Sequence, residues 1–321
     1  IVPAVDLHLA IYMSWIEDVR AYQMAELFTD LDVNFYPDFF DAARSVMSDR
    51  NAKGMVIGTE GEELSTGFRN KLEKELLADH KVVDVSYDME LVRMVKTPEE
   101  NRRLKKAAEI TVKAHASFRE AIKIGNTDRD LFTAAVKRMY DEGADNVRFI
   151  NVGCGPVSFS AHCPYPIDYA LKEGDFVKVD MGAEVKGYPA DFVRSYYLGY
   201  ASQRAQDIWK WLNEAQMETA YWLKPGVTGG EIFDYSYKKI SKHLEKYPRE
   251  FFGHGLGLGS HEQPRMNKGN KTVLEPDTPV CLETSYYHEG VRFHSEETLL
   301  VTNDGIEHWT ANLPRDLVVK T

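Results

Sequence analysis

The segment VDMGAEVKGYPADFVRS, residues 179–195, has the pattern of two β-strands joined by a tight turn. Apolar and β-branched residues flank Lys186-Gly187-Tyr188, and a glycine at a short connection between such runs is typical of a hairpin. Asp180 lies in the first run and Asp191 in the second. A carboxylate in a sheet interior is costly unless it is paired, hydrogen-bonded or bound to a metal ion. Both aspartates are therefore candidate functional residues, although either one alone could be a satisfied structural residue.

Two predicted helices precede this segment and two follow it. The first two begin at the capping residues Thr97 and Thr127. The third covers the periodic run 208–222, and the fourth begins at Thr228. At Thr97 and Thr228 a glutamate three residues further on completes a capping box. The fourth helix is predicted over the whole of TGGEIFDYSYKKISKHLEK, residues 228–246.

The order of elements repeats along the chain. Strand-like runs TPVCLETSYY (278–287) and EETLLVT (296–302) follow the second pair of helices, as the hairpin follows the first pair. Two helix-helix-strand halves, related by a pseudo-twofold axis, would place strands in the middle and helices outside. The pattern predicts an α+β fold. The first 90 or so residues are predicted to be a smaller α/β stretch, with a strand in AKGMVIGTEG (52–61) and another that leads from residue 81 into a connector.

Further acidic residues and a histidine lie in apolar or glycine-rich contexts. Glu283 follows an apolar run, and His254 lies in the glycine-rich stretch 251–264. Glu296 and Glu297 are adjacent, and strand alternation predicts that only one of them faces inward. Together with the two aspartates these side chains form an oxygen-rich set with one nitrogen, which suits a pair of hard or borderline divalent ions better than one thiolate-bound zinc.

Size and charge limit the class of function. A chain of 321 residues with 43% hydrophobic residues can bury a large core and is long enough for two domains. The net charge of −11 argues against nucleic acid or an anionic membrane as a partner, because those surfaces bind clustered Lys and Arg. Small molecules or peptides are therefore the better candidate partners.

The cysteines and the amino-terminal sequence give expectations about the cellular compartment and the start of the chain. Three cysteines without CxxC spacing predict free thiols in a reducing compartment, hence a cytoplasmic protein. No run of about 18 apolar residues and no signal-peptide pattern is present in the sequence. The chain begins IVPAVDLHLA without Met, and we expect it to be a fragment of a longer protein.

Residues 93–321 resemble the catalytic domain of the pita-bread metallohydrolases, the family of methionine aminopeptidase, aminopeptidase P, prolidase and the metal-free creatinase. RMVKTPEE (93–100) resembles the start of that domain, and the step of eleven residues from Asp180 to Asp191 is similar to the family's aspartate-bearing segment. GHGLGLGSHEQP (253–264) resembles its histidine segment, and LETSYY and EETLLVTNDG resemble its two glutamate segments. The resemblance implies five metal ligands: Asp180, Asp191, His254, Glu283 and Glu296.

The same resemblance implies a pita-bread catalytic domain over 93–321, preceded at 1–92 by part of a creatinase- or prolidase-like N-terminal domain. It implies two divalent ions, with manganese expected and cobalt, zinc or iron as alternatives, that bridge a hydroxide for amide hydrolysis. Glu283, His261 and His162 would be catalytic. His162, His261, His294 and Arg292 would contact the substrate, and the protein would be a homodimer.

The choice of substrate stays open. The leading hypothesis is an Xaa-Pro dipeptidase or Xaa-Pro aminopeptidase, because those relatives have the N-terminal domain. However, His294 stands where they have Arg, and Thr284 stands where Pro is usual. The alternatives are a creatinase-like hydrolase of a small amide or guanidino compound and a non-catalytic peptide-binding module. A cysteine hydrolase that uses Cys163 is a further, weaker alternative.

Overall fold

The computed structural model describes residues 1–22, 33–61, 64–245, 247 and 249–320. The chain divides into two compact units, Ile1–Met89 and Glu90–Thr321. This division and the predicted one between residues 92 and 93 both lie within the helix Ser86–Met94. Among the described residues, no helix is long and apolar enough to cross a membrane.

The first unit is a small α/β structure. Strands β1 (Val2–Pro3), β2 (Arg20–Tyr22) and β3 (Asn34–Tyr36) form a parallel sheet, and β4 (Val56–Thr59) pairs in parallel with β5 (Lys81–Asp84). The predicted strand in AKGMVIGTEG is β4, whereas the predicted connector after residue 84 is a helix, α4 (Ser86–Met94). In chain order the elements are β1 (Val2–Pro3), α1 (Leu7–Met13), β2 (Arg20–Tyr22), β3 (Asn34–Tyr36), α2 (Phe39–Asp49), β4 (Val56–Thr59), α3 (Thr66–Glu75), β5 (Lys81–Asp84) and α4 (Ser86–Met94).

The second unit has the predicted helix-helix-strand order twice. The first half consists of α5 (Pro98–Ala121), α6 (Asp128–Asp141), β6 (Asn146–Cys154), β7 (Phe176–Val185), β8 (Tyr188–Pro189) and β9 (Phe192–Leu198). The second half consists of α7 (Gln203–Trp222), α8 (Gly229–Ile240), β10 (Gly253–Gly255), β11 (Pro279–His288), β12 (Val291–Thr302), β13 (Gly305–His308) and β14 (Val318–Val319). The prediction of an α+β pita-bread arrangement is confirmed.

The helices begin where their capping residues are. Thr97 accepts a hydrogen bond from the backbone N–H of Glu100, whose carboxylate accepts one from the N–H of Thr97, and Thr228 forms the same box with Glu231. Each box satisfies N–H groups that the first turn leaves without partners. Helix α8 ends at Ile240, earlier than predicted, and a turn follows in which the N–H groups of His243 and Leu244 donate to the carbonyl of Ile240.

Two sheets meet at the centre of this unit. One has the strand order β14-β9-β7-β6, with β8 paired to β7, and the other has the order β10-β11-β12-β13. Strands β9 and β12 are joined by side chains: the hydroxyl of Ser195 donates to the carbonyl of His294 at 2.9 Å, and that of Thr298 donates to the carbonyl of Asp191 at 2.6 Å. Residues of both sheets can therefore face one cavity.

The helices cover the outer faces of these sheets. Phe118 of α5 and Leu131 of α6 are fully buried in one core cluster with Val179 of β7, and Leu212 of α7 is fully buried in a second cluster. Burial of each such side chain stabilises the fold by about 1.5–3 kcal/mol. The strands are thereby held rigidly where they carry the candidate ligands.

The hairpin of 179–195 forms as its sequence predicts. Lys186 and Gly187, between the paired residues Val185 and Tyr188, both have positive φ, as in the type I′ turn that suits two-residue hairpins. At Gly182 the backbone of the returning arm approaches so closely that a Cβ atom would clash with the carbonyl oxygen of Ala190. This close approach brings the arm that carries Asp191 against β7.

Candidate active site

All five predicted metal ligands line one cavity of about 650 Å³ in the second unit. Asp180 lies on β7, Asp191 immediately precedes β9, and the remaining three lie on β10, β11 and β12. The register pairs Glu283 directly with Glu296, so their side chains share one face of the sheet. Each ligand comes from a different strand or strand end, and the meeting of the two sheets brings them together.

The tautomer of His254 leaves one ring nitrogen free for a metal ion. Nδ1 lies 3.0 Å from the carbonyl oxygen of Gly255, which can only accept, so Nδ1 carries the hydrogen. Nε2 then faces the carboxylates, 3.9 Å from Asp191 Oδ2, 3.9 Å from Glu283 Oε1 and 3.5 Å from Glu296 Oε1. Burial lowers the pKa of His254, which keeps the imidazole neutral and able to bind a cation.

The carboxylates repel one another in a buried space. Burial raises the pKa of Asp180 to about 8, with the negative charge of Glu296 as a further cause. Burial and neighbouring carboxylates also raise the pKa values of Asp191 and Glu296 well above their ordinary range. Asp180 Oδ1 and Glu296 Oε1 are buried and accept no hydrogen bond from the described residues. A bound cation would offset the repulsion between the carboxylates and would give the buried oxygens a partner.

These residues fit divalent metal ions. Ligand atoms of Asp191, His254, Cys281 and Glu296 all lie within 4.8 Å of one another, and so do those of Glu283, His294 and Glu296. Carboxylate oxygens with imidazole nitrogen are donors that manganese, iron, cobalt and zinc accept. The fit rests on chemistry and on unsatisfied buried atoms, independently of the sequence resemblance.

Arg249 is a site residue that the sequence did not reveal. Its guanidinium donates to Glu283 Oε2 at 2.6 Å, lies 3.5 Å from His294 Nε2 and packs 4.2 Å from the centre of the Phe251 ring. Burial alone would raise the pKa of Glu283, but Arg249 and His294 outweigh it and hold that pKa well below its ordinary value. Glu283 is therefore ionised at neutral pH. The only sequence signal was a basic residue in the connector before the His254 strand.

His294 and Arg292, both predicted substrate contacts, line the same cavity. His294 Nε2 lies 2.7 Å from Glu283 Oε2, and burial lowers the pKa of His294 to about 3. Arg292 is half-buried and donates from Nε to the hydroxyl of Ser285 at 2.9 Å. The cavity therefore combines carboxylates at its floor with two guanidinium groups beside them.

His261 and His162 lie at the rim of the cavity, and both are exposed. The His261 ring centre is 4.0 Å from that of His254. The surrounding protein desolvates part of the His261 ring and, with His254, lowers its pKa to about 4, so the ring is neutral at pH 7. The loop before His162 is held by Lys178, whose Nζ donates to the carbonyl oxygens of Ser160 at 2.6 Å and Ala161 at 3.0 Å. Sequence reasoning missed Lys178.

The burial of Glu297 corrects one prediction about β12. The alternation with Glu296 is right, but both glutamates are buried, not one. Glu297 forms ion pairs with Arg194 at 2.6 Å and Arg315 at 2.9 Å, and His308 lies 3.1 Å from it. Burial raises the pKa of Glu297, but Arg194, His308 and Arg315 outweigh burial and lower it to about 2. The far face of β12 is thus covered by residues that supply compensating charge.

Known proteins share this sequence and structure. The sequence profile of Metallopeptidase family M24 matches residues 102–303. An Xaa-Pro dipeptidase of Pyrococcus horikoshii is 28% identical over 300 residues, which are 90% of this chain and 81% of that protein. A relative from Mycobacterium tuberculosis is 32% identical over 232 residues, 71% of this chain and 61% of its own length, so less than two thirds of that relative is matched.

A solved structure supports the same assignment. The crystal structure of X-Pro aminopeptidase from Thermotoga maritima superposes with a TM-score of 0.81 at 26% identity, over 99% of this chain and 86% of that chain. The profile match covers more than half of the chain and includes all five candidate ligands. With a carboxylate and imidazole cluster that fits divalent cations in the same unit, the chain belongs to metallopeptidase family M24.

Proposed function

We propose that this protein hydrolyses the amide bond before proline in Xaa-Pro dipeptides or at the amino terminus of Xaa-Pro peptides. The observation that carries the proposal is the convergence of Asp180, Asp191, His254, Glu283 and Glu296 on one cavity, where buried carboxylate oxygens have no hydrogen-bond partner within the described part of the chain. Relatives described as Xaa-Pro dipeptidase and X-Pro aminopeptidase support the choice of bond.

The proposed cofactor is a pair of divalent ions held by these five side chains, and manganese is the first metal to test. Cobalt, zinc and iron are alternatives, because all accept oxygen and nitrogen donors. When bound, such ions supply Lewis acidity at the scissile carbonyl and lower the pKa of water.

Three side chains of the protein would have separate roles in the reaction. Glu283, kept ionised by Arg249, presents Oε1 to the cavity and can accept a hydrogen bond from the attacking water. His261, neutral at pH 7, can donate one hydrogen bond to the carbonyl oxygen as negative charge develops on it. Arg292 is half-buried beside the cavity and can pair with a carboxylate of the substrate. A carboxylate so close to the reacting bond favours dipeptides over long peptides.

The second candidate is a hydrolase of a small amide or guanidino compound. The observation that favours it is the pair Arg249 and His294 on Glu283, which fills part of the cavity with nitrogen donors. A cavity narrowed in this way could select a small anionic amide instead of a peptide.

One experiment separates the two. The purified full chain is analysed for metal content, loaded with manganese, and assayed on Ala-Pro, on Ala-Pro-Ala, and on Ala-Ala as a matched control. Cleavage of Ala-Pro that is lost with a chelator supports the proposal. Turnover of small amides in the presence of chelator, with no cleavage of any Xaa-Pro peptide, would promote the second candidate.

We also propose a cytoplasmic homodimer. Three free cysteines support a reducing compartment. The dimer is expected from the likeness to the family and is tested by light scattering of the purified chain, where a monomer mass would contradict it.

A further inference from the structure

Cys281 is fully buried next to the candidate ligands Asp191, His254 and Glu296. The β10–β11 register pairs Cys281 directly with His254, and the β11–β12 register pairs it with Thr298. Directly paired residues of antiparallel strands present their side chains on the same face. Residues 281 and 283 also share a face, because side chains alternate along a strand. The thiol is therefore on the same face of the sheet as His254, Glu283 and Glu296.

The distances agree with the register. The sulfur of Cys281 lies within 4.8 Å of ligand atoms of Asp191, His254 and Glu296, and all four residues are buried. Its hydrogen-bond contacts are the carbonyl oxygen of Asp191 at 3.4 Å, the hydroxyl of Thr298 at 3.8 Å and the carboxylate of Glu296. Glu296 Oε1, in the same group, is buried and lacks a hydrogen-bond partner among the described residues. That buried oxygen points independently to a cation as the ligand of this group of side chains.

We propose that Cys281 is a thiolate ligand of the divalent ion held by Asp191, His254 and Glu296. On binding, the S–H bond breaks, its proton passes to solvent, and a sulfur–metal bond forms with no change of oxidation state. Because thiolate is a soft donor, the site binds soft ions such as cadmium and zinc more tightly than an all oxygen and nitrogen site would, while manganese gains little. The proposal rests on the metal site of the proposed function, but not on which amide bond is cleaved.

The test compares the binding of two metal ions by the wild type and by two variants. The metal-free protein of 321 residues is titrated with Cd²⁺ and separately with Mn²⁺, and ultraviolet absorption records sulfur-to-cadmium charge transfer. Cys281→Ser is the test variant. Cys163→Ser is the matched control, because Cys163 is a half-buried thiol on the loop beside the cavity.

We expect wild type and Cys163→Ser to show the charge-transfer band and Cys281→Ser to lack it. Cys281→Ser should weaken Cd²⁺ binding by at least about tenfold, the scale on which metal affinity responds to changes around a site, and Mn²⁺ binding by much less. A purely structural role would weaken both ions equally and leave the selectivity unchanged. A band that persists in Cys281→Ser, or is missing from wild type, overturns the proposal.

A measurement on the unmodified protein covers the case in which Cys281→Ser does not fold. X-ray absorption of the zinc-loaded wild type should show one sulfur scatterer at about 2.3 Å. A shell of only oxygen and nitrogen overturns the proposal. Failure to cleave Xaa-Pro peptides would contradict the proposed function but would leave both spectroscopic results in place.

Discussion

Replacement of Lys96 by methionine is expected to destabilise the unit Glu90–Thr321 through a buried ion pair. Lys96 Nζ donates to Glu262 Oε2 at 2.8 Å and to the carbonyl of Met94 at 3.0 Å. Both charged side chains are 2% exposed. Glu262 also accepts from the backbone N–H of Gly259 at 2.8 Å, so the pair fixes the loop that leads to His261.

The magnitude follows from burial. Burial lowers the pKa of Lys96, and Glu262 offsets part of that effect. Loss of the ammonium leaves the Glu262 carboxylate buried without its partner, which costs about 3–5 kcal/mol. For a unit of this size that loss lowers Tm by about 6–20 °C.

The assay is urea and thermal unfolding followed by near-ultraviolet circular dichroism. Lys105→Met is the control, because Lys105 forms an ion pair with Glu307 at 2.6 Å that is about half exposed on both sides; it should cost no more than about 1 kcal/mol. The double variant Lys96→Met/Glu262→Gln should recover part of the stability, since no unpaired charge stays buried. A loss at Lys96 no larger than the loss at Lys105 would refute the reasoning.

Three further outcomes are expected. Glu283→Gln should reduce turnover by more than about a hundredfold, because a neutral amide cannot take the role of the ionised carboxylate; near-normal turnover on Ala-Pro would contradict that role. His261→Ala should lower turnover while elemental analysis shows unchanged metal content, and loss of metal would make His261 a ligand instead. Burial lowers the pKa of His115 to about 3, whereas the pKa in the unfolded chain is near 6.5. As pH falls below 6.5 the unfolded chain binds the proton and the folded protein does not, so the free energy of unfolding decreases. That contribution is about 2 kcal/mol between pH 7 and pH 5. His115→Phe, which keeps a ring against Phe192, should lack it, and equal slopes of stability against pH in the two proteins would count against the assignment.

The helices and the central hairpin could be predicted because their signals are local. A capping box needs only residues three apart, and the turn at Lys186 and Gly187 needs only backbone freedom and the flanking apolar runs. Helix α4 was missed because no capping box marks its start and only Val85 separates it from the strand β5. The end of α8 was misplaced because the helical period continues past it: Ile240 and Leu244 are four residues apart and both are buried, so the apolar pattern does not mark the stop.

The likeness to a known family supplied the ligand positions, and the structure brings those side chains to one cavity. Their roles as ligands and catalytic groups stay predictions until metal is measured. The sequence did not indicate that Arg249 would hold Glu283, that Lys178 would hold the loop before His162, or that Glu297 would be buried with Arg194. Each of these contacts joins residues from 17 to 103 positions apart.

By itself, then, the order of residues determined the helix starts, the hairpin and the periodic faces, because those depend on neighbours within a few positions. Only the tertiary structure decided which charges meet in the interior. Burial removes water as the competing partner, so a side chain's charge state and partners depend on whatever the fold places within a few ångströms. The tertiary structure likewise places Cys281 opposite His254, and this placement makes the proposed thiolate ligand testable.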